Sequence, residues 1–177
     1  MSQEERTREV LQYQYEPIAA HNWTAHNWTD IIGSESDNAD EMTENQERLG
    51  NVDWCSCGNC APMSTVPESV CCVEDARVLG KMVGAACITC TDDFLAVCTN
   101  KAVIETAFNQ YLEQEGFIDD EPLNDTYRYV AYRQWTFWVH KKLGRKIRIP
   151  IPTCAVNKIR ETFPSENGIY KGFEFAH

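Results

Sequence analysis

The chain has 177 residues, of which 43% are hydrophobic and 11% aromatic, and its net charge is −11. This length allows one small hydrophobic core and hardly two, so a single domain with a tail is expected. The longest apolar runs, such as VGAAC and WTFWV, are much too short for a membrane helix, which argues against membrane insertion. No basic and apolar signal segment follows Met1, so we expect a cytoplasmic protein, with the nucleus as the alternative.

The acidity is concentrated near the N-terminus. Residues 1–53 contain twelve acidic and three basic side chains, whereas residues 54–177 contain fifteen and thirteen. The run GSESDNADEMTENQERLGN has almost no apolar residue, so residues 1–50 are predicted to be a largely disordered acidic tail before a domain at 51–177. An AHNWT repeat in this tail is either a replicated linear peptide or a tryptophan-anchored docking motif for a protein partner.

Seven of the nine cysteines form a spaced set that is typical of metal ligands. The seven are Cys55, Cys57, Cys60, Cys71, Cys72, Cys87 and Cys154. Cys57 and Cys60 form a C-x-x-C pair, and Gly58 between them lets the chain fold back, as in a half-site of structural zinc. Seven sulfurs exceed one tetrahedral site, but they fill eight positions around two zinc ions if one thiolate bridges, so a dinuclear cluster is predicted.

Other cysteine chemistries fit the pattern less well. A secreted disulfide framework is disfavoured because adjacent Cys71 and Cys72 cannot easily bond to each other. A thioredoxin-like redox motif would need a βαβ pattern, and iron–sulfur ligation stays open as the alternative to zinc. Cys90 and Cys98 are predicted to be structural, although Cys90 lies near Cys87 and could replace a ligand. Cys98 ends an apolar stretch, which is typical of a buried small residue.

Two helices are predicted after the cysteine-rich stretch. Thr91 before DDF is typical of an N-cap. An amphipathic helix is predicted from Asn100 to Glu115, where Gly116 ends it, and its inward face is expected to contain Val103, Ala107, Phe108 and Tyr111. The next helix is predicted from Asn124 to Gly144.

This second helix belongs to a stretch in which basic and aromatic side chains are interleaved. From Thr126 to Arg160 the chain has no acidic residue and nine basic residues. They are Arg128, Arg133, Lys141, Lys142, Arg145, Lys146, Arg148, Lys158 and Arg160. In an acidic protein this density favours an anion site over a solvated face. The six aromatic residues of this stretch would stack on bases: Tyr127, Tyr129, Tyr132, Trp135, Phe137 and Trp138. The alternative is that the residues at helical spacing face the core: Tyr127, Ala131, Trp135 and Trp138.

The segment KIRIPIP alternates isoleucine with other residues, which is the period of a half-buried extended segment, and its prolines restrict it to a sheet edge. Thr153 is predicted to cap a short helix from Cys154 to about Thr162, with N–H groups at Cys154 and Ala155 that would offer an anion site beside the metal. The predicted fold class is therefore α+β and mostly helical, as a small zinc-stabilised, cysteine-rich domain.

The series WCSCGNC, PESVCC, ACIT, AYRQW and IPTCAVNKIRETFPSENGIYKGF resembles, in this order, the cytoplasmic C-terminal ballast domain of the P2X-class purinergic receptor of subtype seven and its stand-alone relatives. The resemblance covers roughly residues 50 to 175. It implies a dinuclear zinc site formed by the cysteines named above, and a guanine-nucleotide pocket. The resemblance would place Arg128, Tyr129 and Tyr132 where the receptor domain holds the guanine, beside Ile149 and Ile151.

The chain also departs from the receptor. Its sequence contains no channel, so neither ATP gating nor a membrane role is expected. Val156 and Ser165 stand where the receptor domain has basic residues, which leaves Lys158 and Arg160 as the candidates for phosphate contacts.

Catalysis is not expected from this sequence. Its four histidines form no nucleophilic triad, and an all-thiolate zinc site is closed and structural. No GxxxxGK[ST] or GxGxxG loop occurs. We therefore expect a non-catalytic zinc module that binds a guanine nucleotide or similar anion as a sensor or adaptor, with its acidic tail engaging protein partners. The alternatives are a nucleic-acid-binding module using residues 126–160 and a protein-interaction scaffold.

Overall fold

Five α-helices and three short helical turns make up the regular structure of the described chain. The computed structural model describes residues 45–115, 123–141, 143 and 147–173, without the side chains of residues 111–115. The α-helices are α1 (Ala76–Met82), α2 (Asp92–Phe94), α3 (Lys101–Glu115), α4 (Asn124–His140) and α5 (Thr153–Thr162). The turns are 3₁₀ at Gln46–Arg48 and Ile88–Cys90, and π-helical at Leu95–Thr99. The predicted tail lies almost wholly outside the described residues.

The described residues are mostly helical, as predicted, and contain no β-strand, so the β component of the predicted fold class finds no support in them. The predicted extended segment KIRIPIP lies partly outside the description, and its residues 147–152 form neither helix nor strand. Ile149 and Ile151 are nevertheless buried. Pro150 and Pro152 lack the N–H groups that a sheet ladder needs, which explains why this segment packs without pairing.

Helix α4 is the element against which α1, α3, α5 and the π-helical turn pack. Its residues Tyr127, Ala131 and Trp135 are buried at a spacing of four, which confirms the interpretation that they face the core. Trp135 is fully buried, and its ring lies edge-to-face with Phe94 at a centroid distance of 5.9 Å. Truncating a buried aromatic ring of this size costs about 3–5 kcal/mol, so this pair is a major contributor to the core.

The inward face of α3 differs from the prediction. Ile104 and Phe108 are buried, whereas Val103 is 38% exposed, so placing Val103 inward was wrong. The side chain of Asn100 caps the helix by accepting from the N–H of Ala102, at 3.0 Å. The packing of α3 against α4 and the π-helical turn buries Ile104. Ala107 packs against the core partly buried, and the side chain of Tyr111 lies outside the description.

Helix α4 starts at Asn124 as predicted but ends at His140, before the expected Gly144. Lys141 has a φ of 62°, a left-handed conformation that an α-helix cannot continue through. Gly144 itself lies outside the described residues.

Helix α1 was not predicted from the sequence. The side chain of Asp75 caps its start by accepting from the N–H of Arg77 at 2.8 Å, and Val78 and Met82 form its buried face. An acidic N-cap before ARVLGKM was the available signal. Among the described residues, no helix combines the length and apolar character that crossing a bilayer requires.

The start of α5 corrects another prediction. Thr153 is the first residue of the helix, and its hydroxyl donates to the carbonyl of Glu68 at 2.6 Å, so it is not the N-cap. The N–H of Ala155 donates to the carbonyl of Pro152 at 2.9 Å and is not free for the predicted anion. The end of the helix at Thr162 agrees with the prediction, and Thr91 caps α2 as predicted.

Candidate metal centre and cationic site

The seven predicted cysteines converge in two groups of four. The first group is Cys55, Cys57, Cys60 and Cys71. The second group is Cys57, Cys72, Cys87 and Cys154. Within each group all sulfurs lie within 4.8 Å of one another, and Cys57 belongs to both. Seven cysteines therefore offer eight ligand positions, which is the arrangement that the cysteine count predicted for two tetrahedral ions.

The distances between sulfurs fit tetrahedral coordination. The Sγ–Sγ distances are 3.7 Å for Cys55 and Cys57, 3.8 Å for Cys57 and Cys60, and 3.9 Å for Cys72 and Cys87. A tetrahedron with metal–sulfur bonds of about 2.3 Å has edges of about 3.8 Å. All nine cysteines are free, so disulfides do not account for this convergence. A set of soft sulfur donors at this spacing suits zinc, or iron in a cluster.

The two groups differ in exposure. All four residues of the second group are buried, whereas Cys55 and Cys60 of the first are partly exposed. Cys90 is exposed and belongs to neither group, and Cys98 is fully buried, as expected of a small core residue. The first group is therefore the one that solvent reaches.

A partly buried ion pair between Arg48 and Glu74 helps to position the cysteines of the central segment. The N–H of Cys71 donates to one carboxylate oxygen of Glu74 at 2.8 Å, and the other oxygen accepts from Arg48 at 2.8 Å. Arg48 also donates to the carbonyl of Ser69 at 3.1 Å and lies 5.7 Å from the ring centre of Trp54. The pair thereby links the chain before the first group to the segment that carries Cys71 and Cys72.

The C-x-x-C turn has the conformation that the sequence predicted. Gly58 has a φ of 76°, in the left-handed region that favours glycine. The side-chain amide of Asn59 donates to the carbonyl of Cys57 at 3.2 Å and stabilises the turn. Together these features bring the sulfurs of Cys57 and Cys60 onto one side of the loop.

Contact between the sulfurs changes their proton affinities. Burial raises the pKa of the Cys57 thiol to about 11. Hydrogen bonds with Cys60, Cys72 and Cys87, together with burial, raise the pKa of Cys154 far above its ordinary value. The pKa of Cys71 is lowered because the thiols of Cys60 and Cys72 hydrogen-bond to it. Metals bind the thiolate form of cysteine, so metal binding must release the protons that these thiols hold.

Two arginines that the sequence assigned to ligand binding meet at one tyrosine. The guanidinium of Arg128 lies 5.2 Å, and that of Arg160 4.8 Å, from the ring centre of Tyr170. Arg128 donates to the carbonyl of Phe163 at 2.7 Å, and Arg160 donates to that of Lys171 at 3.0 Å. Tyr170 was not singled out from the sequence, although GIYKGF contributed to the resemblance.

The other predicted ligand residues lie in different environments. Tyr129 and Tyr132 are partly buried and pack against the core, and Ile149 and Ile151 are buried. Lys158 forms an exposed ion pair with Glu161 at 3.2 Å. The structure therefore brings Arg128 and Arg160 together on Tyr170 but does not bring Lys158 to that contact.

Two buried side-chain donors carry no hydrogen bond to any described residue: Asn157 Nδ2 and Arg160 Nε. Both residues belong to α5, and the same helix carries Cys154 at its start. Buried donors of this kind normally bond to protein, water or a ligand. Sequence reasoning missed Asn157 because an isolated asparagine has no recognisable motif.

A polar cluster of buried Asp75, buried His140 and exposed Arg77 joins α1 to the end of α4. His140 Nδ1 lies 3.4 Å from a guanidinium nitrogen of Arg77, and His140 Nε2 lies 3.9 Å from a carboxylate oxygen of Asp75. Burial and the Arg77 charge lower the pKa of His140 to about 4. Burial raises the pKa of Asp75. His140 is therefore neutral at physiological pH.

The chain is similar to known proteins over most of its length. Residues 3–174 match the family model of the P2X purinoreceptor 7 intracellular domain. The chain is 30% identical over 125 residues to P2X purinoceptor 7 of Rattus norvegicus. This aligned region covers 71% of the chain and 20% of the rat protein. It is 27% identical over 124 residues to P2X purinoceptor 7 of Mus musculus, covering 70% and 20%. The chain thus spans about a fifth of the length of these curated relatives.

Proposed function

The chain belongs to the P2X purinoreceptor 7 intracellular-domain family, and from this membership we propose that it is a non-catalytic, cytoplasmic module stabilised by two zinc ions. The observation that carries the proposal is the pair of four-cysteine groups with Cys57 in common. When bound, zinc would crosslink the cysteine-rich segments to α5, and its binding free energy would contribute to folding. An all-thiolate site is closed, which suits a structural role.

Native mass spectrometry of the purified protein tests the zinc proposal. We expect two zinc ions in the wild type and in C90S, because Cys90 lies outside both groups. C57S should lose tight binding of both ions, because Cys57 contributes to both groups. A wild-type protein without zinc, or a C57S protein that keeps two ions, would contradict the proposal. Iron and inorganic sulfide in place of zinc would support the iron–sulfur alternative.

The proposed ligand of the module is a guanine nucleotide or a similar anion, bound by Arg128 and Arg160 in a sensor or adaptor role. The buried donor Arg160 Nε bonds to no described residue, which supports this assignment, since an anion would supply an acceptor there. Of the aromatic residues predicted to stack on bases in the nucleic-acid alternative, Tyr127 and Trp135 are buried in the core, whereas Phe137 is 47% exposed.

Calorimetric titration with GDP tests the ligand, with ADP as the comparison for base preference. R128A should weaken GDP binding roughly tenfold or more, because charge-assisted hydrogen bonds contribute strongly, while the zinc content stays unchanged. K141A is the matched control, since Lys141 is an exposed cation at the end of α4. If R128A lowers the zinc content as much as the GDP affinity, the separation of the two sites is wrong.

A further inference from the structure

The chain after α5 lies over the arginine pair of the proposed anion site. We name residues 164–173 the C-terminal strap. The guanidinium groups of Arg128 and Arg160 lie 5.2 and 4.8 Å from the centre of its Tyr170 ring. Guanidinium groups are attracted to the faces of aromatic rings at these distances. One side chain of the strap therefore engages both cations.

The strap also takes up hydrogen-bonding capacity of Arg160. Arg160 donates to the strap carbonyl of Lys171 at 3.0 Å, whereas Arg128 donates at 2.7 Å to the carbonyl of Phe163, just before the strap. Neutral carbonyls are weaker partners for a guanidinium than phosphate or carboxylate oxygens. An anionic ligand therefore has a chemical advantage over the strap at the same donors.

The attachment of the strap is superficial. Phe163, just before the strap, is 4% exposed and stacks on Tyr127, whereas every residue of the strap itself is exposed or only partly buried. Ile169 is 71% exposed. At the distal end, the N–H of Phe173 donates to the Glu68 carboxylate at 3.1 Å. A segment with so little buried surface can detach while the core stays folded.

We propose that the C-terminal strap competes with an anionic ligand for the arginine pair, and that the ligand binds fully to Arg128 and Arg160 when Tyr170 detaches from them. This inference rests on the proposed anion site and adds its regulation. Ligand binding and strap release are then linked, so each favours the other. Glu68 stands three residues before Cys71, so release would also free a bond next to the metal centre.

The test compares GDP and inorganic pyrophosphate binding to the full chain of the wild type, Y170A and Y170F. Y170A removes the ring from both guanidiniums, so it should bind both probes about tenfold more tightly. Y170F keeps the ring and loses only the hydroxyl that accepts from the N–H of Ser165 at 3.2 Å. Its affinities should stay within about twofold of the wild type. Zinc content and melting temperature check that each variant is folded.

Hydrogen–deuterium exchange of the wild type needs no variant and applies even if Y170A does not fold. Saturating pyrophosphate should speed amide exchange in residues 165–173. Slower exchange there, or weaker binding by Y170A, would show that the strap closes over the ligand and would overturn the competition.

The result also separates this inference from the proposed function. Tighter pyrophosphate binding by Y170A without any GDP binding supports the strap and rejects the guanine nucleotide. GDP binding that is equal in the wild type and Y170A supports the nucleotide and rejects the strap. If Y170A binds neither GDP nor pyrophosphate, both the proposed nucleotide site and the proposed role of the strap are rejected.

Discussion

Thr153 donates its hydroxyl to the carbonyl oxygen of Glu68 at 2.6 Å, in a fully buried contact between the start of α5 and the segment before Cys71. The N–H of Thr153 adds a second bond, to the carbonyl of Val70 at 2.9 Å. Because Cys154 follows Thr153 directly, these bonds place its sulfur beside the cysteines of the central segment.

T153V should therefore destabilise the domain. Valine has nearly the same shape, but it removes one donor from the buried carbonyl of Glu68, which still accepts from the N–H of Val70 at 3.0 Å, so the loss should be about 0.5–1.5 kcal/mol. Urea unfolding of the zinc-loaded protein measures the loss. T162V is the matched control, because the Thr162 hydroxyl donates to the carbonyl of Lys158 in an exposed position. Its effect should stay within about 0.5 kcal/mol, and equal stabilities of T153V and wild type would contradict the role of the contact.

Metal removal should occur in two phases. Cys55 and Cys60 of the first group are partly exposed, whereas the second group is entirely buried. A chelator should therefore extract the ion of the first group faster, because reaching the second requires local opening of the fold. A colorimetric zinc reporter in stopped flow would record the phases. C55S should lose the fast phase and keep the slow one. Release of both ions in a single phase would argue against this order.

G58A should weaken the metal centre through the backbone alone. A β-carbon added at Gly58 would meet nothing within 4 Å, but the φ of 76° at this position is unfavourable for alanine. Left-handed backbone costs a non-glycine residue about 1–2 kcal/mol, and this cost should appear as a lower melting temperature and a lower zinc affinity.

G80A is the matched control for that substitution. Gly80 lies inside α1, has open space around it and does not have a positive φ. Alanine there should stabilise the helix by about 0.5–1 kcal/mol. If both variants shift the melting temperature in the same direction, the backbone explanation for Gly58 is wrong.

His140 should make the fold sensitive to acid. Its pKa is about 4 in the folded protein and 6.5 ordinarily, so the unfolded chain binds the proton first as the pH falls. Stability should therefore decrease between pH 6.5 and 4, by about 3 kcal/mol at most. The raised pKa of Asp75 acts in the opposite direction, because that carboxyl takes up its proton more readily in the folded state.

The difference in unfolding free energy between wild type and H140Q isolates this effect, because acid release of metal affects both proteins. H140Q removes the titrating ring, so its stability should fall less steeply than that of the wild type across this range. Parallel pH profiles of the two proteins would show that His140 does not titrate as its burial implies.

Some features of the fold could be read from local sequence. The Thr91 cap, the start of α4 at Asn124 and the buried Cys98 agree with the predictions because capping and apolar burial depend mainly on neighbouring residues. The inward position of Val103 was wrong because the buried face of α3 is selected by its packing against α4 and the π-helical turn, which the local sequence does not specify. Helix α1 was missed because its seven residues are too few to show a helical period in the sequence.

The sequence by itself determined the donor chemistry of this protein: seven cysteines suited to two ions, a glycine turn in the C-x-x-C pair, and arginines on two separate helices. Only the tertiary structure decided that Cys57 belongs to both groups and that Tyr170 lies against both Arg128 and Arg160. The physical reason is the distance along the chain over which each effect acts. Side-chain chemistry and backbone preference act within a few residues, whereas the sharing of one sulfur by two metal groups, or of one ring by two guanidiniums, depends on how distant segments pack.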